Sequence, residues 1–136
     1  MLDRADEIWN RACDLEWKPT RAGDRALKDV IRFHGEIRNG GLDFALDADL
    51  EAAPRAAAGF RVLRAPALAD VLDQAHRIAS RAVIDGEFDV LDLDEHDATR
   101  LDALGEEYDR LLPIDTALEA SFRRHLEAKP DEFEPI

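Results

Sequence analysis

The sequence has one cysteine, Cys13, one tyrosine and two tryptophans in 136 residues. A single thiol excludes an internal disulfide and fits a reducing compartment, so the expected location is the cytoplasm. Long apolar runs are also missing. The longest, such as Ala56–Phe60 and Ala65–Ala69, fall far short of the ~20 residues a membrane helix needs. The N-terminal stretch MLDRADEIWNRACDLEW mixes charges and has neither the apolar core nor the cleavage box of a signal peptide. Basic residues are scarce, 18 against 31 acids, for a net charge of −13. That balance lacks the basic footprint for gripping nucleic acid or an anionic membrane, so no direct contact with either is expected.

Motifs of catalysis are absent as well. The sequence has no nucleophile elbow, P-loop, dinucleotide fingerprint or HExxH. The four histidines, at 34, 76, 96 and 125, are scattered. Metal sites in helical bundles use two Glu-x-x-His motifs, and the one weak analogue here is Asp73-Gln-Ala-His76. His34 and His76 lie near apolar stripes and read as core-edge residues. Cys13 shares a stripe with Trp9 and reads as a buried structural thiol. The expectation is a non-enzymatic protein with no catalytic residue, cofactor or metal.

What is present is helical periodicity. Ile8, Trp9, Ala12 and Cys13 recur at spacings of three and four, predicting a helix from Asp3 to about Trp17 that Pro19 stops. Leu27, Val30, Ile31, His34 and Ile37 mark a second helix, ended by Asn39-Gly40-Gly41, a structural cap in which glycine supplies the left-handed backbone. Residues 42–50 are ambiguous: Leu42, Phe44 and Leu46 alternate, so a short strand, an irregular segment or the opening of a helix all fit. Pro54 and Pro66 introduce helices over about 54–64 and 66–83. The first carries Ala56, Ala57, Ala58 and Gly59, which permit close packing. The second presents Leu68, Val71, Leu72, Ala75, Ile78 and Ala79 on one stripe. Two more helices follow, about 97–112 and 115–129, and the tail Asp131–Ile136 is expected to be loosely held. The fold class is therefore all-α, a single compact domain over 1–136 of about six helices around one core.

The negative charge is not spread evenly. Residues 1–84 carry 14 acidic and 13 basic side chains, whereas 85–136 carry 17 and 5. The stretch DGEFDVLDLDEHD contains Asp85, Glu87, Asp89, Asp92, Asp94, Glu95 and Asp97 with no base. It fails as a calcium loop, because such loops want a central glycine and a glutamate at the twelfth position, where this stretch has His96. Its apolar residues, Phe88, Val90, Leu91 and Leu93, are expected to pin it to the body and turn the carboxylates outward. The following helix continues the charge with Asp102, Glu106, Glu107 and Asp109. Between Asp85 and Asp109 the one base is Arg100. Asp102, Glu106 and Asp109 form a row at i, i+4, i+7, flanking the apolar Leu101, Leu104 and Tyr108. Like charges at i, i+4 cost a helix roughly 0.2–0.5 kcal/mol per pair. These eleven acids are the candidate partner-binding surface, and a basic protein is the expected partner. Two other readings fit: a solvated accessory surface that serves solubility alone, or a metal or acid–base site.

Two places resemble a known family. Glu36-Ile37-Arg38-Asn39-Gly40-Gly41-Leu42, at a helix end, is similar to the signature of a bacterial acidic all-α domain family of mostly unknown function that includes a DNA-mimic protein. Leu101-Asp102-Ala103-Leu104-Gly105-Glu106-Glu107-Tyr108, and Ala120–Phe133 ending in Lys129-Pro130-Asp131-Glu132-Phe133, look like its closing helices. The resemblance covers about 27–133. Where family members carry an aromatic-rich segment with Gln and Asn after the paired glycines, this chain has Leu42-Asp43-Phe44-Ala45-Leu46-Asp47. The resemblance implies an acidic, cytoplasmic, often dimeric helical protein. In the mimic member, surface carboxylates imitate phosphates and occupy the DNA-binding face of a transcription regulator. No catalytic role comes with Asn39, Gly40 or Gly41.

Overall fold

A computed structural model of the chain describes residues 2–136. Seven α-helices follow one another: α1 (Arg4–Ala12), α2 (Ala22–Gly40), α3 (Leu42–Ala48), α4 (Ala52–Val62), α5 (Pro66–Ser80), α6 (Glu95–Leu111) and α7 (Asp115–Ala128). Between α5 and α6 sit a two-stranded antiparallel hairpin, β1 (Val83–Ile84) with β2 (Glu87–Phe88), and a 3-10 turn at Val90–Asp92. The all-α class holds, with one helix more than the periodicity predicted and a small hairpin. No described helix is long and apolar enough to cross a membrane.

One hydrophobic cluster unites the helices. At its centre α2 packs against α4 at close range. A Cβ placed on Gly59 would lie 2.7 Å from the Ala26 carbonyl oxygen and 2.9 Å from Val30 Cγ2, so a bare backbone is what lets the two helices approach. Ala56 and Ala57 are fully buried beside it, whereas Ala58 faces outward. The α5 stripe is buried at all six expected positions. Phe33, Phe60, Phe122 and Tyr108 supply the bulk of the interior.

Four local features correct or resolve what the periodicity leaves open. First, α1 stops at Ala12 rather than Trp17. Asp14 accepts the Glu16 N–H at 3.0 Å in a competing turn. Lys28 Nζ reaches across to cap the carbonyls of Asp14 at 2.7 Å, Leu15 at 3.2 Å and Trp17. Cys13, just past the helix, is consequently exposed rather than buried.

Second, residues 42–48 are helix. Leu42, Ala45 and Leu46 are buried at i, i+3, i+4, and the alternation was misleading because Phe44 faces outward. The Asn39-Gly40-Gly41 turn does end α2: Gly41 takes φ +95° and its N–H bonds the Ile37 carbonyl at 2.7 Å. A Cβ on Gly40 would collide with the Phe44 ring, so the two glycines let α3 start at once.

Third, the acidic stretch opens on ordered structure: Asp85-Gly86 is a hairpin turn. Both residues have positive φ, 52° and 83°, the signature of a type I′ turn.

Fourth, the C-terminal tail is fastened. Phe133 is fully buried, stacked edge-on against Phe122 with ring centres 5.6 Å apart. Arg11 donates to the carbonyls of Glu134 and Pro135 at 3.0 Å each, and Arg21 to that of Phe133 at 3.0 Å.

Candidate functional site

Helix α6 lies between two neighbours. Its Gly105 edge meets α3 at Leu42, and its Arg100–Leu104–Glu107–Leu111 edge borders α5 along a groove shared with Asp70, Val71 and Gln74. Leu101 and Tyr108 are buried beneath. At about 100° per residue, Glu95, Asp102, Glu106 and Asp109 fall within about 60° of one another on the outward side. All four are exposed. With a rise of about 1.5 Å per residue, the row extends about 21 Å.

The fold sorts the eleven candidate acids into three kinds. Asp85, Glu87, Asp92, Glu95, Asp102 and Glu106 are exposed and, among the described residues, form no ion pair. Asp89 and Asp94 are caps: Asp89 accepts the Leu91 N–H at 2.9 Å and Asp94 accepts the Asp97 N–H at 2.7 Å, starting α6. Asp97, Glu107 and Asp109 are paired. Asp97 is buried and bonded to Arg81 at 3.1 Å, so it is not part of the outward surface. Glu107 forms a bidentate pair with Arg110, whose hydrogen bonds lower its pKa. Asp109 meets Arg38 at 3.4 Å. The expected anchoring is also only partly met. Phe88 is buried and Leu93 half-buried, but Val90 is exposed and Leu91 is 87 % exposed.

The structure adds acids that charge counting by halves concealed. Residues 39–54 contain Asp43, Asp47, Asp49 and Glu51 and no base. As part of the first 84 residues they were averaged with thirteen bases. Folding places α3 against both α6 and β2, and Asp47, Asp49 and Glu87 line one cleft with Phe88 at its floor. Of these added acids, Asp49 is paired with Arg55 at 3.1 Å, while Asp47 is exposed and, among the described residues, unpaired. The signal was available in the sequence as a local run without bases. Only the α3–α6 packing shows that it adjoins the second run.

The sorting of charge has a direction. On the α5 side of α6, carboxylates are matched: Arg61 binds Asp70 at 2.9 Å and Asp73 at 2.7 Å, and Arg110 holds Glu107. Towards α3 and the hairpin, unpaired carboxylates predominate. Their field therefore adds outward over one face.

A polar relay that runs from a buried His34–Tyr108 pair out to an exposed Asp115 ties three helices. His34 on α2 is 2.8 Å from the Tyr108 hydroxyl on α6 and 2.8 Å from Asp115 at the start of α7. Arg38 adds bonds to Asp115 at 3.3 Å and to the Leu112 carbonyl at 2.6 Å. The His34 bond and the Arg38 guanidinium hold the Asp115 carboxyl below its ordinary range. Burial pushes the Tyr108 hydroxyl well above its own, so it stays protonated. Tyr108 is fully enclosed and His34 buried, while the Asp115 carboxylate stays exposed, so the relay fixes how α6 sits against α2 and the start of α7.

Asp73, one half of the weak metal-like spacing, is engaged by Arg61 instead. Among the described residues no cluster of three or more His, Cys, Asp or Glu is arranged as metal ligands.

A family model described as DMP19-like protein matches residues 20–126, well over half of the chain. The match takes in the Asn39-Gly40-Gly41 turn, the acidic stretch and all of α6, and it stops before Lys129–Phe133. Neither the curated proteins nor the solved structures give a match.

Proposed function

The chain belongs to the DMP19-like protein family, and on that premise we propose that it is a non-enzymatic binding protein, acting in the cytoplasm, whose acidic face occupies the DNA-binding surface of a basic regulatory protein. The observation that carries this reading is the one-sided charge: α3, the hairpin, the 3-10 turn and α6 present Asp47, Asp85, Glu87, Asp92, Glu95, Asp102 and Glu106 without a basic partner among the described residues, whereas the α5 side of α6 is neutralised. Charge kept for solubility has no reason to be segregated, since mixed signs serve as well. B-DNA carries a phosphate per ~3.4 Å of each strand's axis. The α6 row is sparser than that, and the α3 and hairpin acids, or a second copy of the chain, supply the remainder.

Such an interface is screened by salt over about 8–10 Å at physiological ionic strength. Binding to the basic partner is therefore expected to weaken by an order of magnitude or more between about 50 mM and about 200 mM salt. Affinity measured across that range is the check. A partner retained equally at both salts, or no basic partner at the lower one, favours an accessory domain whose acidity serves solubility alone.

A further inference from the structure

On another part of the molecule, the α4–α5 corner and the α6–α7 corner enclose a cavity of about 350 Å³. Phe60, Leu63, Leu68, Leu111, Leu112 and Leu118 wall it. Two guanidiniums, Arg64 and Arg124, stand at its exposed rim. In a chain with 31 acids and 18 bases, seven other arginines have carboxylate partners. Among the described residues these two, like the six remaining arginines, have none. Arg64 Nε donates to His125 Nδ1 at 3.2 Å, and His125 Nε2 in turn meets Glu132 Oε1 at 2.9 Å. A buried imidazole thus positions the Arg64 side chain without neutralising it. Arg124 reaches only the Ser121 hydroxyl, at 3.5 Å, and that hydroxyl donates to the Leu63 carbonyl at 3.1 Å. Arg64 also holds a left-handed backbone, φ +67°, where glycine would sit with less strain. The same rim carries the start of α5, where Ala65 provides no side-chain cap and Pro66 occupies the first turn, so positive helix-end potential adds to the two cations.

Apolar walls with a few converging polar groups, in this range of volume, are the usual make-up of a small-molecule site. We propose that this cavity binds a small amphipathic carboxylate, a medium-chain or aryl acid. Its apolar body lies among the leucines and its carboxylate between Arg64 and Arg124. This site is separate from the acidic face, whose sign would repel such a ligand.

The test is a titration of the full chain, labelled for amide shifts, with sodium octanoate and in parallel with neutral octanamide. Octanoate is expected to give saturable shifts at Ala67, Leu68 and Leu118, with octanamide binding at least roughly tenfold more weakly. The double variant Arg64→Gly, Arg124→Gln should lose at least roughly tenfold in octanoate affinity. Glycine suits the left-handed backbone at position 64, so this variant keeps its fold, as an unchanged melting midpoint will verify. Absence of saturable shifts, equal binding of octanamide, or an unaffected double variant would each overturn the proposal.

Discussion

Replacing Asp24 with alanine is expected to destabilise the protein by about 3–5 kcal/mol, the range for removing one partner of a buried ion pair. Asp24 is fully buried near the start of α2. One carboxylate oxygen takes Arg11 Nη2 at 3.0 Å and the other takes the Glu134 N–H at 2.7 Å. Arg11 also carries the carbonyls of Glu134 and Pro135. Deleting the carboxylate therefore strands a half-buried guanidinium and frees the tail that seats Phe133 against Phe122. The loss is read as a lower denaturant midpoint with an unchanged slope, together with faster amide exchange over 131–136. Asp24→Asn keeps the shape but replaces one acceptor with a donor, and falls between wild type and alanine. A cost below about 1 kcal/mol for the alanine variant would mean that the pin contributes little.

The second large effect concerns binding. Neutralising Asp47, Glu87, Asp102 and Glu106 together, as Asn or Gln, is expected to slow association with the basic partner by tenfold or more. A control with the same change of net charge, at the exposed Glu7, Glu16, Glu127 and Asp131, should slow it far less. The stability of the first variant should move the other way. Asp102 and Glu106 sit at i, i+4, so removing their repulsion relieves about 0.2–0.5 kcal/mol. A surface that binds worse and folds slightly better when neutralised holds its charge for a purpose other than folding. Equal effects from the two variants would reduce the interaction to net charge alone. Stopped-flow association and thermal melts make the comparison.

The helices that form the core were legible because burial imposes a period. Leu68, Val71, Leu72, Ala75, Ile78 and Ala79 repeat at helical spacing and are buried together in α5. Elements ruled by polar contacts were harder to read. The end of α1 depends on Asp14 and on Lys28, fourteen residues away, and no local pattern encodes that contact. The tail is held by Arg11, Arg21 and Asp24 from more than a hundred residues earlier. The hairpin is legible in the sequence: Val83-Ile84-Asp85-Gly86-Glu87-Phe88 places an Asp-Gly pair between two short segments that each hold an apolar β-former.

The candidate site divides in the same way. Asp102, Glu106 and Asp109 were visible as a helical row, and all three are outward. Local chemistry separates the others. Asp89 and Asp94 sit where a turn and a helix need caps, and Asp97 follows Asp94 at the capping distance and meets Arg81. Acid content alone does not distinguish a cap from a free carboxylate. The contribution of α3 waits on tertiary packing, because the Leu42–Gly105 contact brings residues 43–51 beside α6.

Competition with DNA tests the central claim most directly. The basic partner, captured on immobilised protein at low salt, is challenged with increasing duplex DNA. If the acidic face occupies the partner's DNA-binding surface, DNA releases the partner in a saturable way, and the variant neutralised at Asp47, Glu87, Asp102 and Glu106 captures little to begin with. A ternary complex, in which the partner holds DNA and this protein at once, would contradict the account.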